Sequence, residues 1–322
     1  MRYVGMGVGK MEIEFLGTGA GMPSKHRNTS SLALKLLEER GTFWLFDCGE
    51  ATQHQILHTT LKPRKLEKIF ITHLHGDHIY GLPGLLGSRS FLGGEEPLTI
   101  YGPKGLKKWV ELTLHTSQTY LKYPLHIQEI EEGTIWEDDH FKIEAMGLEH
   151  VIPCYGYKIV QKPLAPELLI DRTDALGVPR GPLLRELKAG NDVQLETGTI
   201  VKSKDVTGEP KPGFQITVLG DTRYCKNSIK LSEGSDVVIH EGTFDEETAE
   251  LASEYGHSTI KDAANVCKEA KAKHLIVNHI SARFLSNDIK EMLDQVQEYD
   301  FPIYIAEDLQ QFLWKDGKLQ KL

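Results

Sequence analysis

Residues 73–78 read His-Leu-His-Gly-Asp-His, a run of candidate metal donors directly after the apolar residues Ile69, Phe70 and Ile71. A β-branched and aromatic run of that kind predicts a buried strand, so the donors arrive together at a strand's C-terminal end. Alternation places His73 and His75 on one side of an extended segment, while Gly76 lets the chain turn and aim Asp77 and His78 elsewhere. One short motif can therefore serve two metals. Imidazole nitrogens with a carboxylate suit zinc, and a catalytic zinc keeps part of its coordination for water or substrate. A histidine-rich surface turn is the bland alternative, and isolated histidines such as His115 and His126 show no comparable clustering.

Other expected strand ends add to this set. Residues 214–220 predict a strand running into Asp221-Thr222-Arg223, and residues 236–240 a buried strand ending in His240-Glu241-Gly242-Thr243. Another at 274–278 ends at His279, and Glu149-His150 lies between strands expected near 141–147 and 155–160. His257 precedes an alanine-rich helix expected over 259–272, with Ser258 as its N-cap.

The positioning elements begin with a strand at 11–17 that breaks into Gly17-Thr18-Gly19-Ala20-Gly21. The spacing lacks the helix opening and downstream acid of a dinucleotide fingerprint, so no nucleotide cofactor is expected and the turn reads as backbone passing close to the site. The polar loop Pro23-Ser24-Lys25-His26-Arg27-Asn28 follows, with fixed cations that can grip phosphates or simply stay solvated. Strands at 31–36 and 42–47, helical spacing over 50–60, a break at Leu82-Pro83-Gly84 and a helix over 104–116 complete the first half. Beyond residue 288 the pattern predicts a helix, a short strand at 303–305 and a terminal helix.

Residues 158–215 differ in texture, with prolines at 163, 166, 179, 182, 210 and 212, and predict an inserted excursion. That stretch holds nine Lys or Arg against eight Asp or Glu in a chain of net charge −9, so basic charge is relatively enriched there. The overall negative charge argues against broad attraction to nucleic acid, and any RNA contact must rest on local cations. At 322 residues the chain suits one large domain with an insertion. No apolar run approaches the roughly twenty residues needed to span a bilayer, so no membrane span is expected. The first ten residues lack a secretory pattern and are treated as an extension without a role, and the scattered Cys48, Cys154, Cys225 and Cys267 fit a reducing cytoplasm.

In type and order, the His-x-His-x-Asp-His motif, His150, Asp221 and His279 resemble the metallo-β-lactamase superfamily, an α/β class αββα sandwich of two facing mixed sheets with outer helices. The closer resemblance, over residues 11 to about 315, is to the ribonuclease Z family of transfer-RNA 3′-processing endonucleases in its short bacterial form. It is carried by Phe15-Leu16-Gly17-Thr18, the Pro23 to Asn28 loop, Asp47-Cys48-Gly49-Glu50-Ala51-Thr52, Gly220-Asp221-Thr222-Arg223, His257-Ser258-Thr259 and His279-Ile280-Ser281-Ala282-Arg283. Gly242 stands where an alanine is common in the family, and Val151 where glycine is frequent.

The resemblance implies a metallo-β-lactamase domain over 11–322 with 158–215 as a flexible arm that holds the elbow of precursor tRNA, Gly181-Pro182 matching the family's Gly-Pro motif. It implies two zinc ions per subunit, with other divalent metals admitted by the same donors: one on His73, His75 and His150, the other on Asp77, His78 and His279, and Asp221 bridging. Asp77 would orient or deprotonate the attacking water, and Glu241 with His257 would protonate the leaving 3′-oxygen. The products would be a mature 3′-OH and a 5′-phosphorylated trailer. Lys25, Arg27, Asn28 and Arg283 would bind phosphates or the 3′ end, and the family is commonly a homodimer. Competing readings are a small-ester hydrolase of the same superfamily, which the arm and the polar loop disfavour, and a silent RNA-binding protein, which would need a missing donor.

Overall fold

A computed structural model describes residues 10–322 except 38, 39, 165, 210, 211 and 316; residues 1–9 of the extension lie outside the described residues. They form two compact units, one running to Glu137 and continuing through Lys142–Val160 and Gln215–Leu322, the other made of Asp138–Phe141 and Gln161–Phe214.

The first unit holds two mixed sheets. Across the first, the order is Lys318–Lys321, Gln311–Lys315, Met11–Gly17, Ser31–Leu36, Thr42–Phe46, Leu66–Phe70, Leu98–Gly102 and Leu125–Glu129. The last four run parallel, so Phe46 and Phe70 sit side by side and both chains leave the sheet at the same edge. Across the second, Ile303–Ile305, Leu275–Asn278, Val237–Glu241 and Gln215–Val218 run parallel, followed by Cys154–Gln161, Phe141–Leu148 and Gly133–Glu137.

Alternation explains how the sheets pack. In Thr42–Phe46, Phe43 and Leu45 join Ile69, Leu85, Leu86 and Val110 in a core under the helices Leu82–Phe91 and Leu106–Thr116. Trp44 and Phe46 point the other way, toward the second sheet: Trp44 meets Trp136 edge-on at 5.6 Å, and Phe46 and Phe70 meet Tyr157 at 6.2 and 5.3 Å. The Tyr157 hydroxyl, otherwise stranded in this aromatic layer, donates to Ile71 O at 2.6 Å. A separate core packs Ala263, Ala264, Cys267 and Met292, from the helices Ile260–Glu269 and Ser286–Asp294, against Val238, Leu275 and Val277.

Four local expectations are corrected. Pro83 does not break the chain but lies in the first turn of Leu82–Phe91, where backbone N–H groups have no intrahelical acceptor and a proline forfeits nothing. Thr259, not Ser258, caps Ile260–Glu269, in a capping box with Asp262; the Ser258 hydroxyl instead donates to Thr222 O at 2.6 Å. The helical spacing over 50–60 yields only the short helix Thr52–Ile56. The C-terminus is a hairpin, Gln311–Lys315 with Lys318–Lys321, whose Phe312 and Trp314 alternate inward and pair the first strand with Met11 opposite Trp314.

The second unit overlaps the excursion read from sequence. Its helices Ile170–Ala175, Pro182–Lys188 and Ser203–Val206 and the strand pair Val193–Gln194 and Ile200–Val201 enclose a small core of Val178, Leu187, Val193, Leu195, Val201 and Val206. Gly181, at φ 142, precedes Pro182 at the helix's first position, and both are exposed.

Candidate metal centre

The charged and imidazole groups of the centre follow the C-terminal ends of strands, directly or by way of one short helix. Leu66–Phe70 leads to His73 and His75 and then to the single-turn helix Gly76–Ile79 carrying Asp77 and His78. Phe141–Leu148 delivers His150, Gln215–Val218 delivers Asp221, and Leu275–Asn278 delivers His279. Close backbone approach is needed to bring these ends together. A Cβ on Gly220 would lie 2.7 Å from Thr72 Cβ and 2.5 Å from Cys154 Sγ, and one on Gly49 would lie 2.3 Å from Asp77 O. The glycine-rich turn does pass the site, since Gly21 N–H donates to Asp77 Oδ2 at 2.8 Å.

The donor atoms form two groups that meet at one oxygen. His78 Nε2 lies 3.2 Å from His279 Nε2 and 3.4 Å from Asp77 Oδ2, and His279 Nε2 lies 3.3 Å from Asp77 Oδ2. His75 Nδ1 lies 3.0 Å from His73 Nε2 and 3.3 Å from His150 Nε2. Asp221 Oδ2 stands between the groups, 3.6 Å from His73 Nε2, 3.5 Å from His78 Nε2 and 3.4 Å from His279 Nε2. Donors about 2.0–2.1 Å from a tetrahedral zinc are roughly 3.3 Å apart, so these separations fit the ion.

Protonation supports the same fit. His78 Nδ1–H donates to Asp47 Oδ2 at 2.8 Å and His150 Nδ1–H to Gly256 O at 2.7 Å. Thr72 Oγ1 gives its proton to Asp47 Oδ2 at 2.9 Å and so accepts from His73 Nδ1–H at 3.0 Å. Thr243 Oγ1 likewise donates to Glu241 Oε2 at 2.7 Å and accepts from His279 Nδ1–H at 3.0 Å. With each N–H engaged outward, four Nε2 lone pairs converge on the interior, an arrangement that repels itself unless a cation lies between them. Asp47 and Thr243 are the parts that the sequence reading did not assign.

Electrostatics sort the cluster. Burial and the nearby imidazoles hold His73 well below its ordinary value, and burial lowers His75 and His150 despite Asp221, so these three stay neutral and free to donate lone pairs. Burial would raise Asp77 and Asp221, but the imidazoles around them more than offset it, and both carboxyls stay ionised. At His78 burial is outweighed by Asp221, Asp47 and Asp77, which call for positive charge at that point.

Beside the donors lies a carboxylate–imidazole pair. Glu241 is buried and its Oε1 meets His257 Nδ1 at 2.8 Å; the same carboxylate accepts from Thr222 N–H at 3.1 Å and Thr243 N–H at 3.0 Å. Burial alone would lower His257, but Glu241 overrides it and pushes the imidazole up to about 9. His257 Nδ1 is also 3.9 Å from Asp221 Oδ2, which sets a cationic ring at the edge of the donor cluster. Asp47 and His279 adopt left-handed backbone at φ 57 and 54, conformations that typically cost about 1–3 kcal/mol, and Asp47 is held in it by its N–H donating to Phe70 O at 2.9 Å.

The remaining candidate residues divide. Lys25 is exposed at the loop tip, whereas the Arg27 guanidinium donates to Thr18 Oγ1 at 2.7 Å and Ala306 O at 2.6 Å, and Asn28 Nδ2 donates to Glu50 O at 2.7 Å. Asp308 knits the loop by accepting from Thr18 N–H at 3.0 Å and Asn28 N–H at 2.6 Å. Arg283 is exposed and lies 4.9 Å over the Phe244 ring. Gly181 and Pro182 belong to the second unit and are not among the groups that meet here. Gly242, where alanine is common, has no room for a methyl group, since a Cβ would come within 2.4 Å of Val277 Cγ1.

Facing mixed sheets that present histidines and aspartates at their strand ends define a metallo-β-lactamase-fold hydrolase. A metallo-β-lactamase fold protein from Bacillus subtilis, YhfI, superposes with a TM-score of 0.65 at 19% identity, covering 95% of this chain and 99% of that one. A ribonuclease Z from Bacillus cereus is 56% identical over 303 residues, which are 94% of this chain and 99% of that one. This chain belongs to the ribonuclease Z family. Human tRNase Z, short form, agrees in structure, with a TM-score of 0.65 at 30% identity over 93% of this chain and 98% of that one. A family model for the anti-Pycsar protein Apyc1 also matches residues 11–165.

Proposed function

We propose that this protein is a zinc-dependent endoribonuclease that removes the 3′ trailer of precursor tRNA, cutting after the discriminator nucleotide. The observation that carries the reading is the pair of donor groups sharing Asp221 Oδ2, with the Glu241-bound His257 at their edge. His73, His75 and His150 on one side and Asp77, His78 and His279 on the other would hold two zinc ions, which when bound would supply an activated water and polarise the phosphodiester. Asp77, ionised and fixed by Gly21 N–H, would orient or deprotonate that water. Glu241 holds Nδ1 of a protonated His257, so Nε2 is the proton donor to the departing 3′-oxygen, a role worth about 10²–10⁴-fold in rate. The tRNA keeps a 3′-OH and the trailer leaves with a 5′-phosphate.

In this reading Lys25 and Arg283 meet phosphates directly, while Arg27 and Asn28 keep the loop in shape. The second unit, with Gly181-Pro182 at its surface, is the arm that grips the tRNA elbow. A homodimer fits the exposed apolar residues Leu57, Tyr80, Phe91 and Leu92, at or near the ends of the helices Thr52–Ile56, Gly76–Ile79 and Leu82–Phe91. Four free, buried cysteines fit a reducing cytoplasm, and among the described residues no helix is long and apolar enough to cross a membrane. Cleavage of a precursor tRNA with a 3′ trailer, mapped at nucleotide resolution with and without chelator, tests this. A chelator-sensitive cut after the discriminator that leaves a 3′-OH supports it. Metal-replete, folded protein that leaves the precursor intact sinks it in favour of small-ester hydrolysis.

A further inference from the structure

Metal, proton and phosphate contacts leave one feature beside the centre without a role. A cavity of about 370 Å³ opens against His75, His150 and His257, and its wall continues through Phe244, Tyr255 and Glu254. Phe244 is buried at 4% exposure, but Tyr255, a large ring at the mouth of a catalytic centre, is 52% exposed. The two rings lie nearly parallel, centroids 6.4 Å apart and planes 16° apart, which braces the tyrosine face. No lysine or arginine is among the residues lining the cavity, while Glu254 adds a carboxylate. The exposed Tyr255 offers the flat face that a base needs: single-stranded RNA is gripped by stacking its bases on such exposed aromatic rings.

We propose that this cavity receives the base of the nucleotide bearing the leaving 3′-oxygen, stacked on Tyr255. The assignment rests on the ribonuclease reading above, and the covalent distance sets it. Tyr255 stands two residues before His257, which also lines the cavity and gives its proton to that oxygen. The nucleotide protonated at O3′ by His257 must lay its own base within one nucleotide's reach, and this cavity offers such a space beside the imidazole. Tyr255 is a positioning residue, selecting which phosphodiester faces the metals.

The test pairs protein and RNA changes. On an intact precursor, Tyr255→Ala is expected to lower kcat/KM roughly 10- to 100-fold, the usual worth of one base–aromatic stack, and Tyr255→Phe to restore it. On a precursor with an abasic discriminator, the wild-type protein is expected to lose a similar factor and Tyr255→Ala to lose nothing more. An abasic site two nucleotides into the trailer is expected to leave the full Tyr255→Ala defect. Equal defects of Tyr255→Ala on intact and abasic-discriminator RNA overturn the stacking assignment, as does a Tyr255→Phe variant no better than the alanine. A wild-type protein that cuts no precursor overturns the ribonuclease reading itself, and that outcome is seen before any variant is made.

Discussion

Asp47 is expected to govern zinc affinity without touching zinc. Its carboxylate accepts three donors: Thr72 N–H at 2.8 Å on Oδ1, and Thr72 Oγ1–H at 2.9 Å and His78 Nδ1–H at 2.8 Å on Oδ2. Asparagine has the same shape but only one acceptor oxygen. With that oxygen toward Thr72 N–H, the amide NH₂ confronts His78 Nδ1–H; flipped, it confronts the backbone N–H. The first conflict is relieved when His78 moves its proton to Nε2, which abolishes the lone pair aimed at the centre. A hydrogen bond to a charged group contributes about 1.5–3 kcal/mol, and 1.4 kcal/mol is tenfold in affinity, so Asp47→Asn is expected to weaken zinc binding roughly 10- to 100-fold. Competition against a chromophoric chelator measures it, with circular dichroism to check the fold. A folded Asp47→Asn protein that holds zinc within twofold of wild type would refute the tautomer assignment.

Three further outcomes are expected. His257 is raised to about 9 by Glu241, so its protonated form, and the step that uses it, should persist through neutral pH and fade as pH rises through about 9. Glu241→Gln should draw that falling limb toward the ordinary histidine value of about 6.5; a pH–rate profile with an unmoved limb would rule the pair out as the proton source. Glu67 accepts from Arg40 at 2.7 Å, Lys68 at 2.8 Å, Thr42 at 2.6 Å and Trp44 at 3.1 Å, and these partners override burial to hold it well below the carboxylate range. Its stabilisation is present above its unfolded value near 4.5 and is lost as pH falls through the lower folded value, so Glu67→Ala should cost about 1–3 kcal/mol at pH 7 and less in acid, read by denaturant melts at both pH values. Finally, chelation should lower Tm by several degrees and zinc should restore it, because the converging lone pairs of His73, His78, His150 and His279 are left facing one another; an unchanged melt would mean the centre is not loaded.

The centre was legible to the extent that its residues announce their chemistry. His73 to His78 combine donors with a preceding buried strand, and Asp221 and His279 sit where apolar runs stop, so type and place coincide. Asp47 ends a strand too, but its work is done on His78, thirty-one positions away in sequence, and nothing local distinguishes it from a turn aspartate. Thr243 is hidden the same way, its hydroxyl acting through Glu241 and His279. The fold was misread where tertiary pairing overrides local pattern. Residues 311–315 and 318–321 become strands because the edge of Met11–Gly17 is there to pair with, and no window of sequence contains that partner. Gly133–Glu137 went unseen because it is only partly covered and lacks an apolar stripe.

The turn at residues 255–257 ties together groups that are otherwise contributed by distant strands. Gly256, left-handed at φ 78, ends the helix Ala249–Tyr255 and turns its carbonyl to His150 Nδ1, and a Cβ at this position would crowd that nitrogen at 3.0 Å. The next residue is His257. His150 and His257 are thus joined through one peptide unit, so a shift of one ring bears on the position of the other. The arrangement also limits drift, since a one-residue insertion in this turn would displace both imidazoles together.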